Sequence, residues 1–162
     1  MATLSVTITE SLPDYNGADN DLTLTNALAV SGVDDIYHRI ITCPANSETR
    51  LIDFHSSVAD AIVSACDVQN VKYIRVTNMD GSNSLTLGLQ IDVGEDDTAA
   101  DSSASILLEA GKSFMMGTPH DGIQVSDANA NMITNLVDLE SLVVQPGGNV
   151  IQVEIFVASV VA

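Results

Sequence analysis

The chain has 162 residues, the length of one ordinary domain and enough to bury roughly 70% of the surface that its unfolded form exposes. It is 46% hydrophobic but only 4% aromatic, so a core must be built mainly from Val, Ile, Leu and Ala, whose branched members suit strands. The formal net charge is −17, with 22 Asp and Glu against Arg39, Arg50, Lys72, Arg75 and Lys112; such a surface repels phosphate and offers no basic stripe to nucleic acid or to anionic lipid.

The opening, MATLSVTITES, has no positive charge and no unbroken apolar run, unlike a secretory signal or a mitochondrial presequence. No apolar run approaches the roughly 20 residues that span a bilayer, so the expectation is a soluble chain made in the cytoplasm without a membrane partner. Leu4, Val6 and Ile8 alternate with Ser5, Thr7 and Thr9 in a first strand that ends at Leu12-Pro13. The segment Ala2 to Tyr15 reads either as an ordinary first strand or as an N-terminal arm able to pair outside its own domain. Asp14 to Asp21 is a loop by composition. Leu22 to Val30 reads as a short strand turning at Ser31-Gly32, Ile36 to Thr42 and Thr49 to Phe54 as a further pair, joined as a hairpin across Cys43 to Glu48. Ser57 to Cys66 is the one helical interval: Ser57 and Asp60 have capping-box spacing, and Val58, Ala61, Ile62 and Ala65 recur at helical positions.

Val71 to Asp92 carries the clearest pattern in the chain. Ile74 and Val76 share one face of a two-residue period, as do Leu85, Leu87, Leu89 and Ile91, and Asn78 to Asn83 supplies turn residues, so the simplest connection is an antiparallel hairpin. Residues 94–103, acidic and free of large apolar side chains, read as an exposed loop dispensable for folding. Ser105 to Leu108 and Ser113 to Met116 flank a tight turn in which Gly111 takes a positive φ. Gly117 to Gly122 is a further turn cluster, Ile123 to Val125 a very short strand, and Leu142 to Gln145 with Val150 to Ala158 a last hairpin across Pro146-Gly147-Gly148-Asn149. Short strands at turn-punctuated intervals indicate an all-β chain forming a single antiparallel β-sandwich over residues 1–162, with jelly-roll connection as one form of it. Ile74, Val76, Leu85, Leu87, Leu89, Ile151, Val153 and Ile155 are its expected core.

No pattern in the chain carries chemistry. Asp14 to Asp21 lacks the Gly-centred twelve-residue calcium loop, and in the stretch from Asp127 the position that needs Gly is Met132 while Asp138 stands where a bidentate Glu belongs. Cys43 and Cys66 have no CxxC or His framework and read as buried free thiols, with a disulfide or metal pair the alternative. His38, His55 and His120 form no HExxH or HxH. Gly111-Lys112-Ser113 lacks the earlier Gly of a phosphate loop, and Pro146-Gly147-Gly148-Asn149 is turn grammar. No catalytic residue, cofactor or metal ligand is assigned.

The run VKYIRVTNMDGSNSLTLGL, followed by ILLEAGKSFMM and then by LESLVVQPGGNVIQVEIFVAS, resembles small virion structural proteins of marine tailed bacteriophages over roughly residues 71–159. The resemblance implies a non-enzymatic capsid decoration or cement protein on the outer shell. Its partner is then the major capsid protein, and capsid symmetry suggests a homotrimer. A tail or head-fibre component, and a carbohydrate or cell-surface binding module, share the same sequence features.

Overall fold

The computed structural model describes residues 2–13, 21–55, 66–91, 102–117, 124–126 and 136–160. Its strands are β1 (Ala2–Leu12), β2 (Leu22–Val33), β3 (Asp35–Cys43), β4 (Thr49–His55), β5 (Cys66–Asp67), β6 (Val71–Asn78), β7 (Leu85–Ile91), β8 (Ser102–Leu108), β9 (Ser113–Gly117), β10 (Gln124–Ser126), β11 (Leu136–Pro146) and β12 (Ile151–Ser159). One 3-10 turn, Val68–Asn70, is capped by Asp67, whose carboxylate accepts from the Gln69 amide. The helix expected over 57–66 falls outside the described residues up to Cys66, which lies in a strand.

One sheet has the order β3-β12-β6-β9 and the other β5-β4-β11-β7-β8, with β10 added along β11. Set aside the short β5 and β10, and number the remaining sandwich strands along the chain from β3. The first sheet then runs first, eighth, third, sixth and the second runs second, seventh, fourth, fifth, which is a jelly roll. The alternating side chains explain why the sheets stack: Ile151, Val153, Ile155 and Val157 of β12 and Leu85, Leu87 and Leu89 of β7 all turn into one buried cluster. All eight expected core residues are buried there. On the other face of β7, Gly88 lies opposite Val143; a Cβ at Gly88 would stand 2.7 Å from Val143 Cγ2, so only glycine lets that valine lie flat on the sheet.

The strand pairings differ from those expected. β6 and β7 do not form a hairpin: β6 pairs with β12 and β9, and β7 with β11 and β8. The same holds for β3 and β4 and for β11 and β12, and the turn at Gly111 likewise joins strands of different sheets. Each connection is a corner between the two layers. Turn residues suit a corner as well as a hairpin, and two strands on opposite sides of one core both show a two-residue period. The strand that does pair with β7 in sequence is β8, across the acidic segment, of which 92–101 lies outside the described residues; Ser102 and Ser103, expected in that loop, begin β8 opposite Ile91 and Gln90. β2 runs through Ser31 and Gly32, the latter at φ +78, to Val33. Gly111 has the expected positive φ, +68, and the Lys112 amide donates to the Glu109 carbonyl. The loops considered for calcium lie outside the described residues at 14–20 and 127–131.

Asn78 clamps two of these corners together. Fully buried at the end of β6, its Nδ2 donates to the carbonyls of Asn83 (2.8 Å), Leu108 (3.2 Å) and Glu109 (3.2 Å), and its Oδ1 accepts from the Asp80 amide at 3.0 Å. Asp80 accepts in turn from the amides of Ser82 and Asn83, which hold its carboxyl below the ordinary value.

Cys43 and Cys66 are free and buried. Cys43 ends β3, whereas Cys66 sits against Asp35 and Ser159, at the other end of that nine-residue strand, roughly 25 Å away, so they cannot pair within one chain. Burial pushes both thiols above their ordinary value of 9.0. Neither is expected to react with a thiol reagent until the protein unfolds, and a rate equal to that of a free thiol in the native protein would contradict this packing. The stabilising difference is intact below that ordinary value and is lost as pH rises through the raised folded values, because the unfolded chain ionises first.

Candidate functional site

Two features stand outside the sandwich core: the outer face of the β3-β12-β6-β9 sheet and the β1–β2 ribbon that crosses it. On the sheet, register places His38 of β3, Phe156 of β12, Arg75 of β6 and Met115 of β9 in one row, and Ile40, Glu154, Thr77 and Ser113 in the next. Glu154 is the hub. One of its oxygens accepts from Arg75 at 2.8 Å, and the other meets His38 Nε2 at 2.9 Å. Phe156 lies between the His38 and Tyr73 rings, each 6.1 Å away, with the Arg75 guanidinium over its face at 5.9 Å. Arg75 Nε is buried with no hydrogen-bond partner.

Arg75 and His38 occupy both oxygens of Glu154. The nearby hydroxyls of Thr77 and Ser113 bond each other at 2.8 Å, on the far side of β12 from the imidazole. This geometry ties three strands together across their outer face and presents an aromatic surface beside an Arg75–Glu154 ion pair. The other histidines do not join it: His55 ends β4, in the opposite sheet, and His120 is outside the described residues. Among the described residues no three His, Cys, Asp or Glu side chains gather as metal ligands.

The ribbon was only half visible in the sequence. β1 belongs to neither sandwich sheet and pairs instead with β2, from Ala2 opposite Val33 to Leu12 opposite Leu22. The projecting element is therefore both strands and not Ala2 to Tyr15 alone. Its two faces differ sharply. Thr3, Ser5, Thr7 and Thr9 lie opposite Ser31, Ala29, Ala27 and Thr25, a small uncharged face, while the reverse, mainly aliphatic face carries Leu4, Val6, Ile8 and Leu12 and, from β2, Leu22, Leu24, Leu28 and Val30, interrupted by Glu10 and Asn26. Near its base this aliphatic face is docked: Val30 and Val33 are buried against Tyr73 and Ala158, with Leu4, Val6, Leu28 and Phe156 around them. Toward its tip the same face is open, with Leu12 51% and Leu24 53% exposed and Ile8 and Leu22 little less. Glu10 is the one ionised side chain within β1 and β2.

The fold and these surfaces define a jelly-roll sandwich carrying an external two-stranded ribbon. No known protein family matches the chain, and no curated protein does. A solved structure of Bacillus endospore appendages, a family of disulfide-linked pili, is similar to it at 11% identity and a TM-score of 0.40, over 78% of this chain and 87% of that one. A likeness at that level carries no argument about function.

Proposed function

We propose that this protein is a non-enzymatic structural component of a phage particle, a capsid decoration or cement protein. It binds the outside of the shell as a homotrimer and bridges neighbouring major capsid subunits, after assembly in the host cytoplasm. The observation that carries the reading is the ribbon: a two-faced β-element with a single acidic side chain, half docked and half open, attached to a jelly roll whose chain carries a net charge of −17. Such an element makes contacts beyond its own domain, and an acidic body keeps those contacts from spreading unspecifically over the surface. The resemblance of residues 71–159 to tailed-phage virion proteins supplies the particle. A repeated component needs only a modest interface per copy, because many copies act together on one shell.

Electron microscopy of the particle that carries this chain tests the reading. The expected result is jelly-roll density at symmetry positions on the shell, with heat resistance that falls when the protein is stripped and returns when it is added back. Density at the tail or on a head fibre, or a shell equally resistant without the protein, overturns the cement assignment.

A further inference from the structure

We infer that the open half of the ribbon seats on the outer sheet of a second copy of this chain, at the β3 side of its β3-β12-β6-β9 sheet. The inference deepens the proposed function, whose trimer it would build, yet it is testable without a particle.

The ribbon's path makes the first argument. Asp34 alone separates β2 from β3. From there the ribbon crosses its own sheet over Ala158 and Tyr73 to Gly117 on β9, where a Cβ would meet Leu28 at 3.3 Å. Among the described residues β9 is the edge of that sheet, and none of them continues its surface under the ribbon beyond Leu28. From the row of Val6 and Leu28 to Leu12 the ribbon projects about 20 Å farther, at the rise of an extended strand. A two-stranded ribbon without cover is marginal in water. Its base is stable because the aliphatic face lies on an aromatic and aliphatic sheet surface, and the tip presents the same face to nothing in its own chain among the described residues.

The acceptor is at the opposite edge. Ile36 and Ile40 of β3 are each 54% exposed, on the same outer face as Phe156 and Ala158, and opposite Ala158 and Glu154 in register. A ribbon leaving the β9 edge of one copy therefore finds, on the β3 edge of the next, the kind of surface that holds its own base. Charge permits the same pairing. Acidic copies repel, but Glu10 is the only acidic side chain of β1 and β2, and the sheet surface beside Ile40 carries Glu154 already paired with Arg75. The contact joins different patches on the two copies, so it repeats head to tail and closes into a ring when the rotation permits.

Light scattering coupled to gel filtration, over a range of protein concentrations, reads the result. The wild-type chain is expected to associate. A ribbon variant, Leu12→Ser with Leu24→Ser, and a sheet variant, Ile40→Glu, are each expected to weaken association about 100-fold or more while keeping the wild-type circular dichroism and melting temperature, since these side chains are exposed in the single chain. Mixing the two variants is expected to restore one contact and give a heterodimer, because each supplies the patch that the other lacks. A monomeric wild type, a ribbon or sheet variant that associates unchanged, or a mixture that stays monomeric overturns the inference; pairing of ribbon with ribbon would leave the sheet variant associating unchanged. A monomer that still decorates shells would leave the decoration role standing without its trimer, and an oligomer that ignores shells would support this inference alone.

Discussion

Asn78→Ala is expected to remove about 3 kcal/mol or more of folding stability, read from the midpoint and slope of a denaturant titration. The side chain is completely buried, and its amide is the donor for three carbonyls, those of Asn83, Leu108 and Glu109. Alanine removes the side-chain donor from all three carbonyls and the acceptor from the Asp80 amide; the Glu109 carbonyl keeps the Lys112 amide. An unsatisfied buried group costs about 1–3 kcal/mol, and those nearest the surface recover part of this by admitting water. Volume is the smaller issue. Asn78→Asp, nearly the same shape, is expected to do at least as badly at neutral pH, because it turns an acceptor toward three carbonyl oxygens. If the aspartate variant proved as stable as wild type, the corner would be held by something other than these hydrogen bonds.

Asn78 also marks the boundary of what the sequence discloses. In sequence it stands at the head of a turn cluster with Asp80, Gly81 and Asn83, and nothing separates an amide that locks two corners from one that faces water. The faces of strands were legible: a two-residue period in Leu85 to Ile91 and in Ile151 to Val157 marks one buried side, and those side chains are buried. Partners were not legible. A strand's period says that it has an inside, and the turn after it says that the chain reverses, but whether it reverses within one sheet or into the opposite one depends on all the other strands at once. Hence the corners of the jelly roll at 71–92, 36–54 and 142–158 read as hairpins, and the connection from β4 to β6 as a helical interval. The Glu154 hub was hidden for a different reason, since His38 and Glu154 stand 116 positions apart and meet only through the pairing of β3 with β12. The ribbon did leave a signal. Within β1 and β2 only Glu10 is ionised, although the whole chain carries 22 acidic residues, and Leu22, Leu24 and Leu28 continue the alternation begun by Leu4, Val6 and Ile8. Charge depletion over two successive alternating segments is what an element built for contact looks like in sequence.

Val30→Asp is expected to release the ribbon and leave the jelly roll folded. Val30 is fully buried, opposite Leu4 in the ribbon and packed with Val33 on Tyr73 and Ala158. A carboxylate in that position costs several kcal/mol if it stays. The ribbon has a less costly response, which is to lift, because among the described residues its buried side chains pack on the outer face of the sheet, while the main core lies on the inner face and shares none of these residues. The loss is then capped by what docking contributes, about 1.5–3 kcal/mol for each fully buried aliphatic side chain as an upper figure. Once lifted, the two strands have no cover and do not persist as a pair. Hydrogen exchange is the measurement: amides of residues 2–12 and 22–33 are expected to lose their protection, while those of β6, β7, β11 and β12 keep theirs. Val30→Ala, which retains an apolar contact, is expected to lower ribbon protection without abolishing it. If Val30→Asp instead unfolded the sandwich and the ribbon in one transition, the two clusters would be a single cooperative core, and a ribbon that folds with its own domain would be a poor candidate for an element that engages a neighbour.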